Sequence, residues 1–491
     1  MLRDRVIVLA MAGLVFVGLC AESAMALRVC TYNLLQYNGS GSSSRTAHYQ
    51  AILNEIQPDI LVVQEVTSLA AANYFEYPVL NGAGGPGGYT RAAFHDSGTG
   101  LSNACFYRST VVSFEGYSWL STSPRDTDRW MFRPVGYTSS ATNFYIYSMH
   151  LHASDSGSRE TQTNIVRTNA NGLPSGTHFL YVGDFNIDSS SENSYQNLIG
   201  SQADNDGMAW DPLDAAGTWH NNASFAWLHT QSTYNNDDPG PPGGAGGGLD
   251  DRFDFQLASV ALFVNEGMDY MNGSYRAYGN DGAHFNDDIT DPPVIPEGSA
   301  IATALLNASD HLPVRADYQV HALIAADALI DFGTVVQGTP AEEILTVSND
   351  GDLALFVYVD DLDYSMSASA GFTAPGGSYS ADAGDAGDEH VIEMDTSTVG
   401  SMNGTVTISS DDPDQPEFVV QLTGEVIPAG PIFPFDDDGD GDVDLSDYSG
   451  FNACLLGPGG GASPPCDNHD FDTDNDVDLE DFMQFQLHFT G

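Results

Sequence analysis

Six short apolar runs in the first two-thirds of the chain each end in, or lead into, a carboxylate, an amide or an imidazole. Asn33 follows Val29-Cys30-Thr31-Tyr32, Gln64-Glu65 follows Ile60–Val63, and His150 ends the run from Phe144. Asp184 and Asn186 follow Phe179–Val182, Asp254 sits in Arg252-Phe253-Asp254-Phe255, and Asp310-His311 precedes Leu312-Pro313-Val314. One polar residue at a strand end is an ordinary cap. Six such sites of three chemical types suit metal-assisted hydrolysis of a phosphate ester. Carboxylates hold a hard cation such as Mg2+, which neutralises phosphoryl charge. A His paired with an Asp activates water, and amide or imidazole donors stabilise a developing oxyanion.

Further residues carry weaker signals. His152 lies two positions after His150, so an extended strand would put both on one face. Arg125, Arg129 and Arg133 are the densest basic cluster, and Arg129 and Arg133 are candidates for a phosphate clamp because Arg binds phosphate bidentately. The interspersed Asp126 and Asp128 offer local ion pairs as the alternative. His220 and His229, with Trp219 and Trp227, suit either a substrate rim or aromatic packing.

The elements that must position these residues form a mixed pattern over residues 27–320. Arg28–Leu34 reads as a strand. Thr46–Gln57 places Tyr49, Ile52, Leu53 and Ile56 on one helical face. Ile60–Val63 is short and rich in β-branched residues, Phe144–Leu151 alternates with period two, and Phe179–Val182 is a buried strand. The Pro/Gly-dense segment Asp237–Gly248 is expected to be a mobile loop. Residues 322–427 change character: Glu343–Val347, Leu355–Val359, Thr405–Ile408 and Phe418–Leu422 read as strands between turn clusters, an all-β sandwich of about seven strands. Residues 428–434 form a stiff Pro-rich linker.

Beyond the linker, residues 435–491 contain a repeat of period 34. Asp436, Asp438, Asp440, Asp444 and Asp447 recur as Asp470, Asp472, Asp474, Asp478 and Asp481, with Val443 matched by Val477. The carboxylates occupy positions 1, 3, 5, 9 and 12 of a loop, a spacing that wraps one chain around one Ca2+. Two copies imply two Ca2+. Gly441 stands where the loop must turn sharply, and Asn475, which tolerates left-handed geometry, stands there in the second copy.

Charge and processing narrow the function classes. The 491 residues carry 14 basic and 68 acidic side chains, a formal charge of −54, and every basic residue is Arg. Residues 27–320 hold 12 of those Arg. A field of that sign repels polyanions, so a nucleic acid would not be bound through a basic surface. Two Arg, the apolar stretch Val6–Ala21 and Ala24-Met25-Ala26 read as a signal peptide over 1–26, cleaved after Ala26, giving a secreted or cell-surface protein with no transmembrane segment in the mature chain. In that oxidising compartment Cys454 and Cys466 are expected to form a disulfide. For Cys30 and Cys105, free buried thiols and a second disulfide both remain open.

Thr31-Tyr32-Asn33, Gln64-Glu65, His150-Leu151, Gly183-Asp184-Phe185-Asn186, Arg252-Phe253-Asp254 and Ser309-Asp310-His311 resemble, in order, the motifs of the endonuclease/exonuclease/phosphatase superfamily. The resemblance implies a deoxyribonuclease-I-like four-layer α/β sandwich and Mg2+ or Mn2+ as the catalytic cation. It implies Glu65 as the principal metal ligand, supported by Asn33 and Asp310. His311 would be the general base oriented by Asp254, Asp184 and Asn186 would position water and phosphate, and His150 would bind the phosphoryl oxygen. Leu329-Ile330-Asp331-Phe332-Gly333 and Val419–Val426 resemble immunoglobulin-like sandwich modules of the ASPM/SPD-2/Hydin type. The repeat resembles a type I dockerin, a small α domain of two calcium loops that implies a cohesin-like partner. The leading expectation is a secreted, metal-dependent phosphodiesterase of nuclease type acting on a phosphodiester substrate. The alternatives are a sphingomyelinase-like or phosphoinositide-like lipid phosphohydrolase, and a surface-assembly protein with an inactive catalytic fold.

Overall fold

The computed structural model describes residues 26–235, 240–264, 266–429, 435–437, 441–463 and 466–490. The expected signal peptide, apart from Ala26, and residues 430–434 of the expected linker lie outside these ranges. The chain divides into two compact units. One runs to Val320 and takes in Asp352–Val359; the other comprises His321–Gly351 and the chain from Asp360 onward.

In chain order the first unit contains β1 (Leu27–Tyr37), α1 (Thr46–Ile56), β2 (Ile60–Val66), α2 (Leu69–Tyr74), β3 (Tyr89–Arg91), β4 (Ser102–Arg108), β5 (Val112–Leu120), β6 (Thr127–Pro134) and β7 (Phe144–His150). It continues with α3 (Ser156–Ala170), β8 (His178–Asp184), α4 (Asn193–Ile199), β9 (Ala209–Trp210), β10 (Asp254–Ser259), β11 (Arg276–Ala277), α5 (Ser299–Ala308) and β12 (Val314–Tyr318). The strands form two six-stranded sheets, ordered β11-β12-β1-β2-β4-β3 and β5-β6-β7-β8-β10-β9.

Each sheet buries one face under helices. Tyr49, Ile52, Leu53 and Ile56 of α1, with Ile301 and Leu305 of α5, pack on Cys30, Tyr32, Leu34, Leu61 and Val63 of the first sheet. Helix α1 ends at Gln57, which is left-handed (φ 49°), just before Pro58. On the second sheet, Val166 and Ala170 of α3 and Tyr195 and Leu198 of α4 pack on Tyr147, Met149, Phe179, Tyr181, Phe255 and Leu257. The remaining faces meet and are joined by polar cross-links. Gln256 donates to the Val29 and Val314 carbonyls at 3.0 and 2.8 Å, and Gln64 donates to Ser148 Oγ at 3.2 Å. The result is helices, sheet, sheet, helices. Cys30 and Cys105 are free and buried.

The second unit holds β13 (Ile324–Ala326), β14 (Leu329–Val336), β15 (Glu342–Asn349), β16 (Leu362–Ala368), β17 (Phe372–Thr373), β18 (Ser378–Ala381), β19 (Asp388–Met394), β20 (Gly400–Ser410) and β21 (Glu417–Ile427). They form a four-stranded and a five-stranded sheet that share a core containing Leu345, Val347, Ile392, Val406, Ile408, Val420 and Leu422. Leu355–Val359, expected as a strand, is not one. Asp352 Oδ1 accepts from the amides of Ala354 and Leu355 at 2.9 and 3.2 Å, and this local turn displaces strand pairing.

Helices α6 (Leu445–Cys454) and α7 (Leu479–His488) follow, around Phe435, Val443, Phe451, Val477 and Phe485. Asp444 and Asp478 cap them identically, each in a capping box closed by the Asp three residues on. Cys454 and Cys466 form the expected disulfide. Among the described residues no helix is long and apolar enough to cross a membrane.

Candidate active site

Strand parity decides which side chains reach the space between the sheets. In β1, Cys30, Tyr32 and Leu34 face the helices, so Thr31 and Asn33 face the other sheet. By the same alternation Tyr147 and Met149 of β7 send His150 inward, Phe179 and Tyr181 of β8 send Asp184 inward, and Phe255 and Leu257 of β10 send Asp254 inward. Parallel pairing sets His150 beside Asp184, and antiparallel pairing sets Asp254 opposite Asp184.

Glu65 breaks the alternation. Leu61 and Val63 face the helices, so position 65 would as well, but the register shifts between Val63 and Val66 and Glu65 is left-handed (φ 61°). This bulge turns the carboxylate into the site. Leu35, Gln36 and Asn186 are also left-handed, at φ 47°, 45° and 51°. Four non-glycine residues in this strained region at one place are a mark of a functional site.

The distances describe one cluster. Asn33 Nδ2 donates to Glu65 Oε1 at 3.2 Å and to Asp184 Oδ2 at 3.0 Å. His150 Nε2 lies 3.7 Å from Glu65 Oε1 and 3.5 Å from Asp184 Oδ2. His311 Nδ1 is 2.7 Å from Asp254 Oδ2, which leaves Nε2 facing Asp184 Oδ2 at 3.9 Å and Asp310 Oδ1 at 4.0 Å. The strained turn supplies two amides: Leu35 N–H donates to Asn33 Oδ1 and Gln36 N–H to Glu65 Oε2, at 3.0 and 2.8 Å. The Ala245 amide donates to Asp310 Oδ2 at 2.8 Å. Ligand atoms of Glu65, His150 and Asp184 all lie within 4.8 Å of one another. Asp310 Oδ1 and Asp254 Oδ1 are buried carboxylate oxygens without a hydrogen-bond partner. Buried anionic oxygens are costly unless paired or bound to a cation, so this donor set fits a divalent metal.

Electrostatics separates the groups. Burial pushes the Asp184 carboxyl well above the carboxylate range, and Asp254 and Glu65 add to the shift. His150 is held well below the usual histidine range by burial, with Arg125 and His311 adding like charge. Burial would lower His311 too, but Asp254, Asp310 and Asp184 outweigh it and hold that ring well above its usual range.

Other expected residues lie elsewhere. Arg129 sits opposite Tyr147, on the face that α3 covers, and donates to Asn169 of α3 at 2.8 Å. Arg133 pairs with Glu115 at 2.7 Å. Neither has a described contact with the cluster; both serve the sheet's outer side, because parity in β6 follows that of β7. The interspersed acids do not pair with these Arg: Asp126 meets His95, and Asp128 meets Tyr117 and Asn103. The strand ends at His150, so His152 does not share its face; its Nδ1 accepts from the Ser154 amide at 3.3 Å. His229 and Trp219 are core: His229 Nε2 contacts the Trp219 carbonyl at 2.9 Å. Residues 240–248 of the Pro/Gly segment are tied down, with Gly248 accepting from the Ser232 amide at 2.8 Å.

Two further residues reach the site: Arg125, the first of the basic cluster, and Gln231, which carried no sequence signal. Arg125 donates through Nε to the His150 carbonyl at 2.9 Å and through Nη2 to the Leu151 carbonyl, which also accepts from Asn186 Nδ2 at 3.2 Å. Gln231 Nε2 lies 2.7 Å from His311 Nε2 and 3.3 Å from Asp310 Oδ2.

In the C-terminal repeat, Asp438 and Asp440 lie outside the described residues. Asp442, Asp444 and Asp447 group in the first copy, and Asp470, Asp472 and Asp481 in the second. Asp436 accepts from the Gly441 amide at 3.1 Å, and Asp470 accepts from the Asp474 and Asn475 amides at 3.1 and 2.9 Å. Gly441 and Asn475 both adopt left-handed backbone, at φ 95° and 73°.

Residues 30–311 match the Endonuclease/Exonuclease/phosphatase family. Among solved structures, the chain is similar to D. rerio TDP2 complexed with single-strand DNA product, at 15% identity and a TM-score of 0.41 over 60% of this chain and 99% of that one. It is also similar to a mannosyl-6-phosphatase of Bacteroides thetaiotaomicron VPI-5482, at 16% identity and a TM-score of 0.39 over 60% and 99%. Truncated Caenorhabditis elegans TDP2 gives 18% identity and 0.39 over 60% and 96%. No curated protein matches the chain.

Proposed function

The chain belongs to the Endonuclease/Exonuclease/phosphatase family, whose members are metal-dependent phosphoester hydrolases, and from that premise we propose that it is a secreted phosphodiesterase of nuclease type. The observation that carries the catalytic reading is the convergence of Asn33, Glu65, His150, Asp184, Asp310 and the His311–Asp254 pair at one end of two facing sheets. Glu65, Asn33 and Asp310 would hold Mg2+ or Mn2+. When bound, that cation neutralises phosphoryl charge and polarises the P–O bond.

The chain's own groups do the rest. Asp254 fixes the His311 tautomer, so Nε2 faces the centre and accepts the proton of the attacking water. Gln231 Nε2 lies 2.7 Å from His311 Nε2, so the attacking water must displace this amide before the ring can take its proton. Asp184 and Asn186 orient water and phosphate. His150, a neutral donor because burial and Arg125 oppose its charge, reaches the phosphoryl oxygen.

The C-terminal repeat is the tether in this reading: a dockerin-like device with two Ca2+ and a cohesin-like partner. Equivalent residues Leu445 and Leu479, both about three-quarters exposed at helix starts, support a docking role. The disulfide supports export.

Hydrolysis of bis-p-nitrophenyl phosphate, plasmid DNA, RNA and sphingomyelin, compared side by side with Mg2+ or Mn2+, tests the catalytic reading. Nucleic acid and the bis-ester are expected to be cleaved; cleavage of sphingomyelin alone would replace the nuclease reading. Calcium added to the full chain is expected to raise its helix content in circular dichroism, and no response at millimolar Ca2+ would contradict the tether.

A further inference from the structure

A cavity of about 360 Å³ lies between the strained turn at Leu35 and Gln36 in β1, residues 38–45 ahead of α1, the end of α5 and the loop at Gly240. Its walls are bound directly to metal-site groups. Leu35 and Gln36 line it while their amides hold Asn33 and Glu65. Pro241 lines it, accepts from the Gly244 amide at 3.3 Å, and so anchors the loop whose Ala245 amide holds Asp310. The amides of Leu35 and Gln36 set this cavity next to Asn33 and Glu65, so an ester whose phosphate meets the cluster has it within reach of its organic group.

The lining chemistry is selective. Gln36, Asn38, Ser44, His48 and Asn307 present amide, hydroxyl and imidazole groups. Among the described residues no carboxylate and no Phe, Tyr or Trp lines it. The one cation among the described lining residues, Arg45, does not offer its terminal nitrogens: Nη1 donates to the Leu34 and Ala308 carbonyls and Tyr49, and Nη2 to the Leu35 carbonyl and Ser42. A second phosphate finds no free guanidinium there, and a nucleobase finds no aromatic face on which to stack. Neutral donors and acceptors on several sides match the hydroxyls of a compact sugar. Burial lowers the His48 imidazole, so it stays neutral at physiological pH.

We propose that this cavity is a subsite for the sugar ring that carries the scissile phosphate, read through its hydroxyls and without recognition of a base. The inference rests on the hydrolase reading above. A free sugar phosphate and the pentose of a polynucleotide share this chemistry, and the test separates them. Full-length protein with Mn2+ is assayed on bis-p-nitrophenyl phosphate, glucose 6-phosphate and an abasic oligodeoxynucleotide, in wild type and in His48→Ala and Asn307→Ala. His48→Gln, which keeps a polar side chain, serves as the second variant at that position. The Ala variants are expected to lower kcat/KM about 10-fold through KM on at least one sugar ester, to leave bis-p-nitrophenyl phosphate unchanged, and His48→Gln is expected to recover part of the loss. The arm that responds identifies the source. Sugar esters unaffected by the variants, or all three substrates falling together, would overturn the subsite alone. A wild type inactive on every substrate would overturn the hydrolase reading and the subsite with it.

Discussion

Gly183 has no functional group, yet its replacement should disable the site. Its φ is +125°, and a Cβ placed there would lie 2.0 Å from the Met149 carbonyl oxygen on the neighbouring strand. Ordinary contact begins near 3.4 Å, so in Gly183→Ala the strands must separate by about 1.4 Å at this point. The ladder bonds there cannot stretch that far and survive. The next register pair is His150 and Asp184, whose side chains stand 3.5 Å apart. A misplacement of about 1 Å costs on the order of 100-fold in rate. Backbone strain adds about 1–3 kcal/mol to the loss of stability. Gly176→Ala is the control: its φ is +81°, with nothing within 4 Å of an added Cβ, so it carries strain without collision. Turnover of bis-p-nitrophenyl phosphate with Mn2+, measured beside thermal unfolding, should show Gly183→Ala folded at the assay temperature but about 100-fold slower, and Gly176→Ala less stable with near wild-type kcat. A Gly183→Ala enzyme within about threefold of wild type, or equal losses in both variants, would show that close strand approach at Gly183 does not set the site.

Asp254→Asn removes a charge that raises His311, so the rising limb of the pH–rate profile should move to lower pH while kcat falls about 100-fold, the lower end for loss of a general base; an unmoved limb would separate Asp254 from proton transfer. Asp128 is pushed up to about 7 by burial, despite hydrogen bonds from Tyr117 and Asn103. Its folded pKa lies above its unfolded one, so its favourable contribution is full below pH about 4 and is lost as pH rises through 7. Asp128→Asn should therefore be the more stable protein in denaturant titrations at pH 8, with the difference shrinking at pH 4, and a difference independent of pH would contradict the assignment.

Residue type and strand period made much of the site legible before any coordinates. Asn33, His150, Asp184 and Asp254 all follow the alternation that apolar neighbours such as Tyr32, Met149, Tyr181 and Phe255 announce. Glu65 was legible as a residue but not as a position, because a left-handed bulge reverses its face and no local pattern encodes one. The amides of Leu35, Gln36 and Ala245 hold three of the site's side chains, and backbone donors leave no trace in residue type. Arg129 and Arg133 lie away from the cluster for a related reason: charge was visible, but the face of β6 is set by its pairing with β7. In the second unit, Asp352 turned an apolar run away from strand pairing through its side chain.

One divalent cation is expected to bind between Glu65, Asn33 and Asp310. Anomalous diffraction from crystals of the full chain grown with Mn2+ tests it most directly. The expected result is a manganese peak in contact with Glu65, lost in Glu65→Gln. Saturating Mn2+ with no peak between these residues, or a peak unchanged in Glu65→Gln, would contradict it.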